Sequence, residues 1–206
     1  MMVTKEKTYC ITVDRNHLLI EEYGASEKSE RGSLPTTRVA SLLAFVESAQ
    51  CFDVSHVNRA ARSEIPATLS FRIADLPSVS GFNRWLCECV INDDPRIEPL
   101  RNFLRVQEAY QLVLFLLRAY DGHTSVARLA QRYGLSAVQF RRICRSIFGC
   151  GLKQRLRQWR ALNALHDILS RHETLTELAY QHGFSSSSHF SQEIKFHFGA
   201  RPGCLR

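Results

Sequence analysis

The sequence predicts a chain in two parts: a mainly α-helical C-terminal half, in which two helix-turn-helix subdomains are joined by a long helix, preceded by a small mixed α+β N-terminal domain. Three observations carry this prediction. Much of the stretch from Val126 to Gly149, VARLAQRYGLSAVQFRRICRSIFG, recurs about fifty residues later. Charge is divided in the same place: residues 1 to 94 hold 10 Lys/Arg against 13 Asp/Glu, a net of −3, whereas residues 95 to 206 hold 17 against 7, a net of +10. The N-terminal part also mixes strand-like runs with helical spacing, while almost everything after Pro95 keeps helical spacing.

In chain order, Thr8 to Val13 and Leu18 to Tyr23 read as two strands around the turn-like Asp14-Arg15-Asn16. Ser26 to Pro35 reads as a polar loop. From Thr37, the positions Val39, Leu42, Leu43, Val46 and Ala49 mark the inward face of a helix. Thr68 to Ile73, between Pro66 and Pro77, reads as a further strand, and Phe82 to Ile91 as a short helix. Asn92-Asp93-Asp94-Pro95 is the expected boundary, with Asp94 as N-cap and Pro95 at the first helical position. The expected domains are therefore 1–94 and 95–206.

A helix is expected through Val106, and Glu108 to Tyr120, ended by Asp121-Gly122, is apolar almost all round and so buried. In the opening motif Leu129 and Ala130 close an apolar stripe and Gly134 supplies a left-handed turn. Ser136 and Gln139 then form a capping box for a second helix. On that helix Phe140, Ile143 and Ile147 share one side, and Val138, Arg141, Arg142 and Arg145 lie largely on the other. From Gly151 a long helix follows, with Leu152, Leu156, Trp159, Leu162, Leu165 and Leu169 at three-four spacing and Lys153, Arg157 and Arg160 on the remainder. At 1.5 Å per residue it spans about 27 Å.

The second copy starts with a Thr174/Glu177 capping box. Leu178-Ala179 matches Leu129-Ala130, Gly183 matches Gly134, Phe190 matches Phe140, and Gly199 matches Gly149. The offset grows from 49 to 50 after the turn, so this copy carries one extra residue there. In a helix-turn-helix the first helix crosses the backbone of a duplex and sets the second in the major groove. Two such units bind one DNA face when their recognition helices stand about 34 Å apart. A joining helix of this length permits that separation, and a basic partner-binding half points to a polyanion.

Other classes are less well supported. Seven cysteines in no framework spacing read as free thiols of a reducing cytoplasm. The N-terminus has no apolar run of signal-peptide type, and the longest apolar run, Leu112 to Leu117, is far too short to span a membrane. Cys87 and Cys89, two apart on a helix, point about 200° apart and do not share an ion. His189 and His197 could share a face, but no third ligand accompanies them; His182 and His189 read as caps or phosphate contacts. No metal, cofactor or catalytic group is expected.

From about Glu108 to Arg206 the chain resembles the AraC/XylS family of bacterial transcription regulators. The resemblance rests on Glu177, Ala179, Gly183-Phe184, Ser186, Phe190, Ser191, Lys195, Gly199, Pro202 and Arg206. EAYQLVLFLLR, FRRICRSIFG, QWRALNAL and SSSSHFSQEIK are most similar to the activators of type III secretion genes, the InvF/MxiE kind. Ile194 stands in place of the usual aromatic, a change expected in the core, and Gly203 in place of a small polar residue. The resemblance implies a cytoplasmic, sequence-specific activator of virulence genes that meets promoter DNA and RNA polymerase, controlled by a type III secretion chaperone as coactivator. Val138, Gln139, Arg141, Arg142 and Arg145 would form the first DNA-facing set, with Arg141 and Arg142 suited to guanine and Val138 to a thymine methyl. Ser187, Ser188, His189, Ser191, Gln192 and Lys195 would form the second, with Gln192 suited to adenine. Three alternatives remain: control by a small-molecule ligand; a zinc-dependent DNA alkyl-repair protein, which would need Cys10, Cys51, Cys87 and Cys89 to converge; and non-specific nucleoid binding.

Overall fold

The computed structural model describes residues 8–23, 30–50, 67–121, 124–170 and 173–205. Cys51, Gly122, Arg206 and the start of the Ser26–Pro35 segment lie outside them. The chain forms two compact units, Met1–Arg118 and Ala119–Arg206. The Asp94-Pro95 signal is a helix start inside the first unit: the Asp94 carboxylate accepts from the Arg96 amide at 2.9 Å and Pro95 opens a 3-10 turn, Pro95–Ile97. Packing divides the chain later, between Arg118 and Ala119.

In the first unit β1 (Tyr9–Val13), β2 (His17–Glu22), β3 (Arg31–Pro35) and β4 (Leu69–Ile73) form an antiparallel sheet of order β3-β2-β1-β4. Alternation sets its register: Tyr9, Ile11 and Val13 on β1 and Leu18 and Ile20 on β2 are fully buried, with Ile11 opposite Ile20. The intervening turn closes when Asp14 accepts from the amides of Asn16 and His17, each at 2.7 Å, which lowers the Asp14 pKa. β3 corrects the loop expected at Ser26 to Pro35. RGSLP shows no apolar alternation because it is an edge strand, held by its ladder to β2 rather than by a buried face. Gly32 is required there, since a Cβ would stand 2.1 Å from Val79 Cγ1.

Helix α1 (Thr36–Ala49) buries Val39 and Leu43 as expected. The rest of its inward face is Thr36, Ala40, Ala44 and Glu47; Leu42 and Val46 are only half-buried and Ala49 is exposed. The rotation has a polar cause. Glu47, fully buried, receives Arg101 Nε at 3.1 Å, Arg105 at 2.8 Å and the Tyr110 hydroxyl at 2.5 Å. Those groups come from α3 (Glu98–Arg105) and α4 (Glu108–Ala119). A carboxylate is tolerated in a core only when charges and donors compensate it in this way. The phenol's pKa rises through its burial and its bond to Glu47. Helix α2 (Phe82–Ile91) lies where expected and buries Phe82, Trp85, Leu86, Cys89 and Val90.

The second unit contains α5 (Val126–Tyr133), α6 (Ala137–Phe148), α7 (Leu152–Ser170), α8 (Leu175–Gln181) and α9 (Ser187–Phe198). Gly134, Gly149, Gly183 and Gly199 all have positive φ, so the duplication is visible in the backbone itself. Gly134 precedes the α6 cap Ser136 by two positions and Gly183 precedes the α9 cap Ser186 by three, which locates the extra residue. Both expected capping boxes form, on α6 and on α8.

Helix α7 changes the face it buries along its length. Leu152, Leu156 and Trp159 are buried as expected, and Trp159 meets Phe148 of α6 edge-on with centroids 5.6 Å apart. Beyond Trp159 the buried residues are Ala161, Ala164 and Ile168, packed with Leu178, Ala179, Phe184, Phe190 and Ile194. Leu162 and Leu169, expected inside, are exposed at 51% and 64%. Small residues win because α8 and α9 both pack on this half of α7, and alanines admit the close approach. Ile194 is fully buried in that core, as its place in the sequence implied.

Candidate nucleic-acid interface

Helices α5 and α6 form one head of the second unit, and α8 and α9 the other. On α6 the inner side is Phe140 and Cys144, both fully buried, with Ile143 and Ile147 half-buried. Burial pushes the Cys144 thiol up to about 11, so it is an inert packing group. The opposite side carries Val138, Gln139, Arg141, Arg142 and Arg145, all exposed. Val138 is 73% exposed. Val138, Arg141, Arg142 and Arg145 line one groove together with Val126, Ser146, Gly151, Leu152 and Lys153. Gln139 stands apart from them: its carbonyl oxygen accepts from the Ser136 amide at 3.2 Å and hydroxyl at 2.8 Å, leaving its amide NH2 as the outward donor.

The second head repeats this arrangement. Ser187, Ser188, Ser191, Gln192 and Lys195 line a groove with Leu175, Thr176 and Arg201. Val138, Arg141, Arg142 and Arg145 correspond at an offset of 50 to Ser188, Ser191, Gln192 and Lys195, and Gly151 corresponds to Arg201. Two quasi-equivalent grooves thus sit on the outer sides of α6 and α9. The sequence reading did not single out Lys153 as lining the first groove, nor Thr176 and Arg201 the second. The offset from Gly151 to Arg201 was the available signal. The two grooves differ in charge: the first gathers Arg141, Arg142, Arg145 and Lys153, the second Lys195 and Arg201.

His182 stands at the C-cap position of α8, in keeping with the cap expected of it. His182 Nε2 lies 2.9 Å from Asp167 of α7, so it ties α8 to α7. His189 is half-buried against Phe184, with ring centroids 5.7 Å apart, and 3.7 Å from Glu193; it does not line the second groove. His197 also lies 3.7 Å from Glu193, whose carboxylate is taken by Arg157 of α7. Arg157, exposed as expected, and Arg160, half-buried, are both bonded to the second head. Arg160 donates to the Gly183 carbonyl at 3.0 Å and to the Tyr120 hydroxyl at 2.5 Å. Among the described residues no cluster of three metal-ligating side chains occurs, and no helix is long and apolar enough to cross a membrane.

A helix-turn-helix domain family model matches residues 129–206. Invasion protein InvF of Salmonella typhi is 34% identical over 166 residues, covering 80% of this chain and 74% of that protein. An alignment of that length exceeds the Ala119–Arg206 unit and so continues into the N-terminal unit. Transcriptional regulator MxiE of Shigella flexneri is 34% identical over 122 residues, covering 58% of each chain. A solved transcriptional regulator with an AraC-type DNA-binding domain, from Chromobacterium violaceum, aligns over 46% of this chain and 85% of its own, with 22% identity and a TM-score of 0.44. With two heads of helix-turn-helix geometry and a relative of this identity along most of its length, the chain belongs to the AraC family of DNA-binding transcription regulators.

Proposed function

We propose that the chain is a transcription activator of type III secretion and virulence genes, which reads promoter DNA through both grooves and acts on RNA polymerase with a secretion chaperone as coactivator. The observation that carries the DNA reading is the pair of quasi-equivalent grooves, each lined by one outward stripe of a recognition helix and free of acidic side chains among the described lining residues. Val138, Arg141 and Arg142 face bases in the first half-site; Ser187, Ser188, Ser191 and Gln192 face them in the second. Arg145, Lys153, Lys195 and Arg201 take phosphates, which position the protein without reading sequence. Gln139 and His189 contribute at the rims of the heads.

The first head supplies most of the affinity and the second tunes the fit, because the cations concentrate on the first. Residues 1–94 hold the regulatory role and 95–206 the DNA-binding role, centred on the Ala119–Arg206 unit. The virulence-gene reading is supported by the likeness to an invasion protein, which continues into the N-terminal unit. The test is a footprint on candidate secretion-gene promoters, with and without the co-expressed chaperone, read beside transcription. Protection with transcription raised only by the chaperone supports the reading; equal protection with no change in transcription refutes the coactivator.

A further inference from the structure

Helix α7 joins the two heads, and several of its polar side chains are bonded to them. At its N-terminal end Arg155 donates to the Phe148 carbonyl at 3.0 Å, gripping the end of α6. Two residues later Arg157 makes a two-point bond to Glu193 on α9: Nε reaches Oε2 at 3.2 Å, and Nη2 reaches Oε1. Arg160 grips the turn of the second head through Gly183, and Asp167 holds His182. The apolar contact between α7 and α9 sets Ala161, Ala164 and Ile168 against the fully buried Phe190 and Ile194. Apolar packing is non-directional, and an alanine-lined surface fixes the angle of α9 less firmly than a bonded pair does. The bidentate Arg157–Glu193 pair is directional and, with the Arg157 side chain 56% exposed but Glu193 buried, adds an angular constraint that the apolar contact lacks.

Glu193 is the residue after Gln192 and lies on the inner side of the recognition helix, 7% exposed. It faces Arg157 from α7 and His189 and His197 from its own helix. It is therefore a handle on α9 rather than a DNA contact. A change of one base pair between half-sites moves the second major groove by about 3.4 Å and about 35°. A rocking freedom of that size in α9 would let both heads engage either spacing.

We infer that Arg157 and Glu193 are positioning residues which, by locking α9 onto α7, fix the one half-site spacing that the two heads accept. This rests on the two-headed DNA reading. Two heads that bind together gain about 10²- to 10⁴-fold over one, and the gain is lost when geometry forbids joint engagement. The full chain would be used to select binding sites from random double-stranded DNA, in parallel with Arg157→Ala and with the charge-swapped pair Arg157→Glu/Glu193→Arg. Wild type should enrich sites of one spacing and lose about 100-fold or more when one base pair is inserted. Arg157→Ala should enrich several spacings and lose less than about 5-fold, with unchanged base preference in each half-site, and the swapped pair should restore the single spacing.

Should Arg157→Ala fail to fold by thermal melt, Glu193→Gln, which keeps shape and removes charge, gives the same comparison. A single sharp spacing in a folded Arg157→Ala or Glu193→Gln chain overturns the inference. If wild type enriches no bipartite site, the DNA reading fails instead. Residual dipolar couplings on the DNA-free full chain then still decide the lock: one fixed α6–α9 angle in wild type and averaged couplings in the variant support it, and identical couplings overturn it.

Discussion

Replacing Lys153 by alanine perturbs one cation and little else. The residue is exposed at the start of α7 and lines the first groove. If Arg141 and Arg142 read bases, four cations remain for phosphates: Arg145 and Lys153 on the first groove, Lys195 and Arg201 on the second. Each phosphate neutralised contributes about −0.9 to the slope of log affinity against log salt, so the wild-type slope is about −3.6. Between 50 and 200 mM salt, affinity then falls about 150-fold. Lys153→Ala should have a slope of about −2.7 and fall only about 40-fold over the same range. Fluorescence anisotropy on a labelled site, repeated on a scrambled site, reads both quantities. The loss should be similar on the two sequences, because a phosphate contact carries no base information. An unchanged slope, or a loss confined to the specific site, would refute the assignment.

Other perturbations separate the roles further. Arg142→Ala should weaken specific binding by about 1–3 kcal/mol and relax preference at one guanine, with a smaller loss for Gln192→Ala; intact promoter binding by the first with none by the second would reverse the proposed division between heads. Phe190→Ala, in the core shared by α7, α8 and α9, should cost about 3–5 kcal/mol in denaturant unfolding, whereas Phe196→Ala, at an 80% exposed position further along the same helix, should stay within about 0.5 kcal/mol. Arg157 holds the Glu193 carboxyl below its ordinary value of 4.5. A depressed folded pKa gives stability that is present above the unfolded value and is lost as pH falls through the folded one. The melting-temperature advantage of wild type over Glu193→Gln should therefore be full above about pH 5 and shrink on acidification below 4.5; an advantage independent of pH would show that the charge is not what Arg157 holds.

What could be read from residue types alone follows from how each element is stabilised. Helices α5, α6, α8 and α9 announce themselves through caps, turn glycines and a three-four apolar stripe, because those devices are local in sequence. The exposed stripe on α6 was legible for the same reason: once Phe140 is inside, helix geometry places Val138, Arg141, Arg142 and Arg145 outside. Elements held by distant partners were not legible. Strand β3 depends on its ladder to β2, and the face of α1 depends on a buried carboxylate whose partners lie more than fifty residues away. Helix α7 offered two apolar stripes at the same spacing, and only the packing of α8 and α9 chooses Ala161, Ala164 and Ile168 over the larger leucines. Arg157 and Arg160 looked like solvated charge for the same reason: nothing near them in sequence names Glu193 or Gly183 as their partners.

The most direct test of a two-headed major-groove reader is interference by guanine N7 methylation on a selected or promoter site, comparing wild type with Arg142→Ala. Wild type should show two clusters of interfering guanines or flanking contacts about one helical turn, roughly 10 base pairs, apart on one face of the duplex, with Arg142→Ala erasing interference in one cluster alone. Interference confined to one cluster in wild type, or none in the major groove at all, would contradict the account.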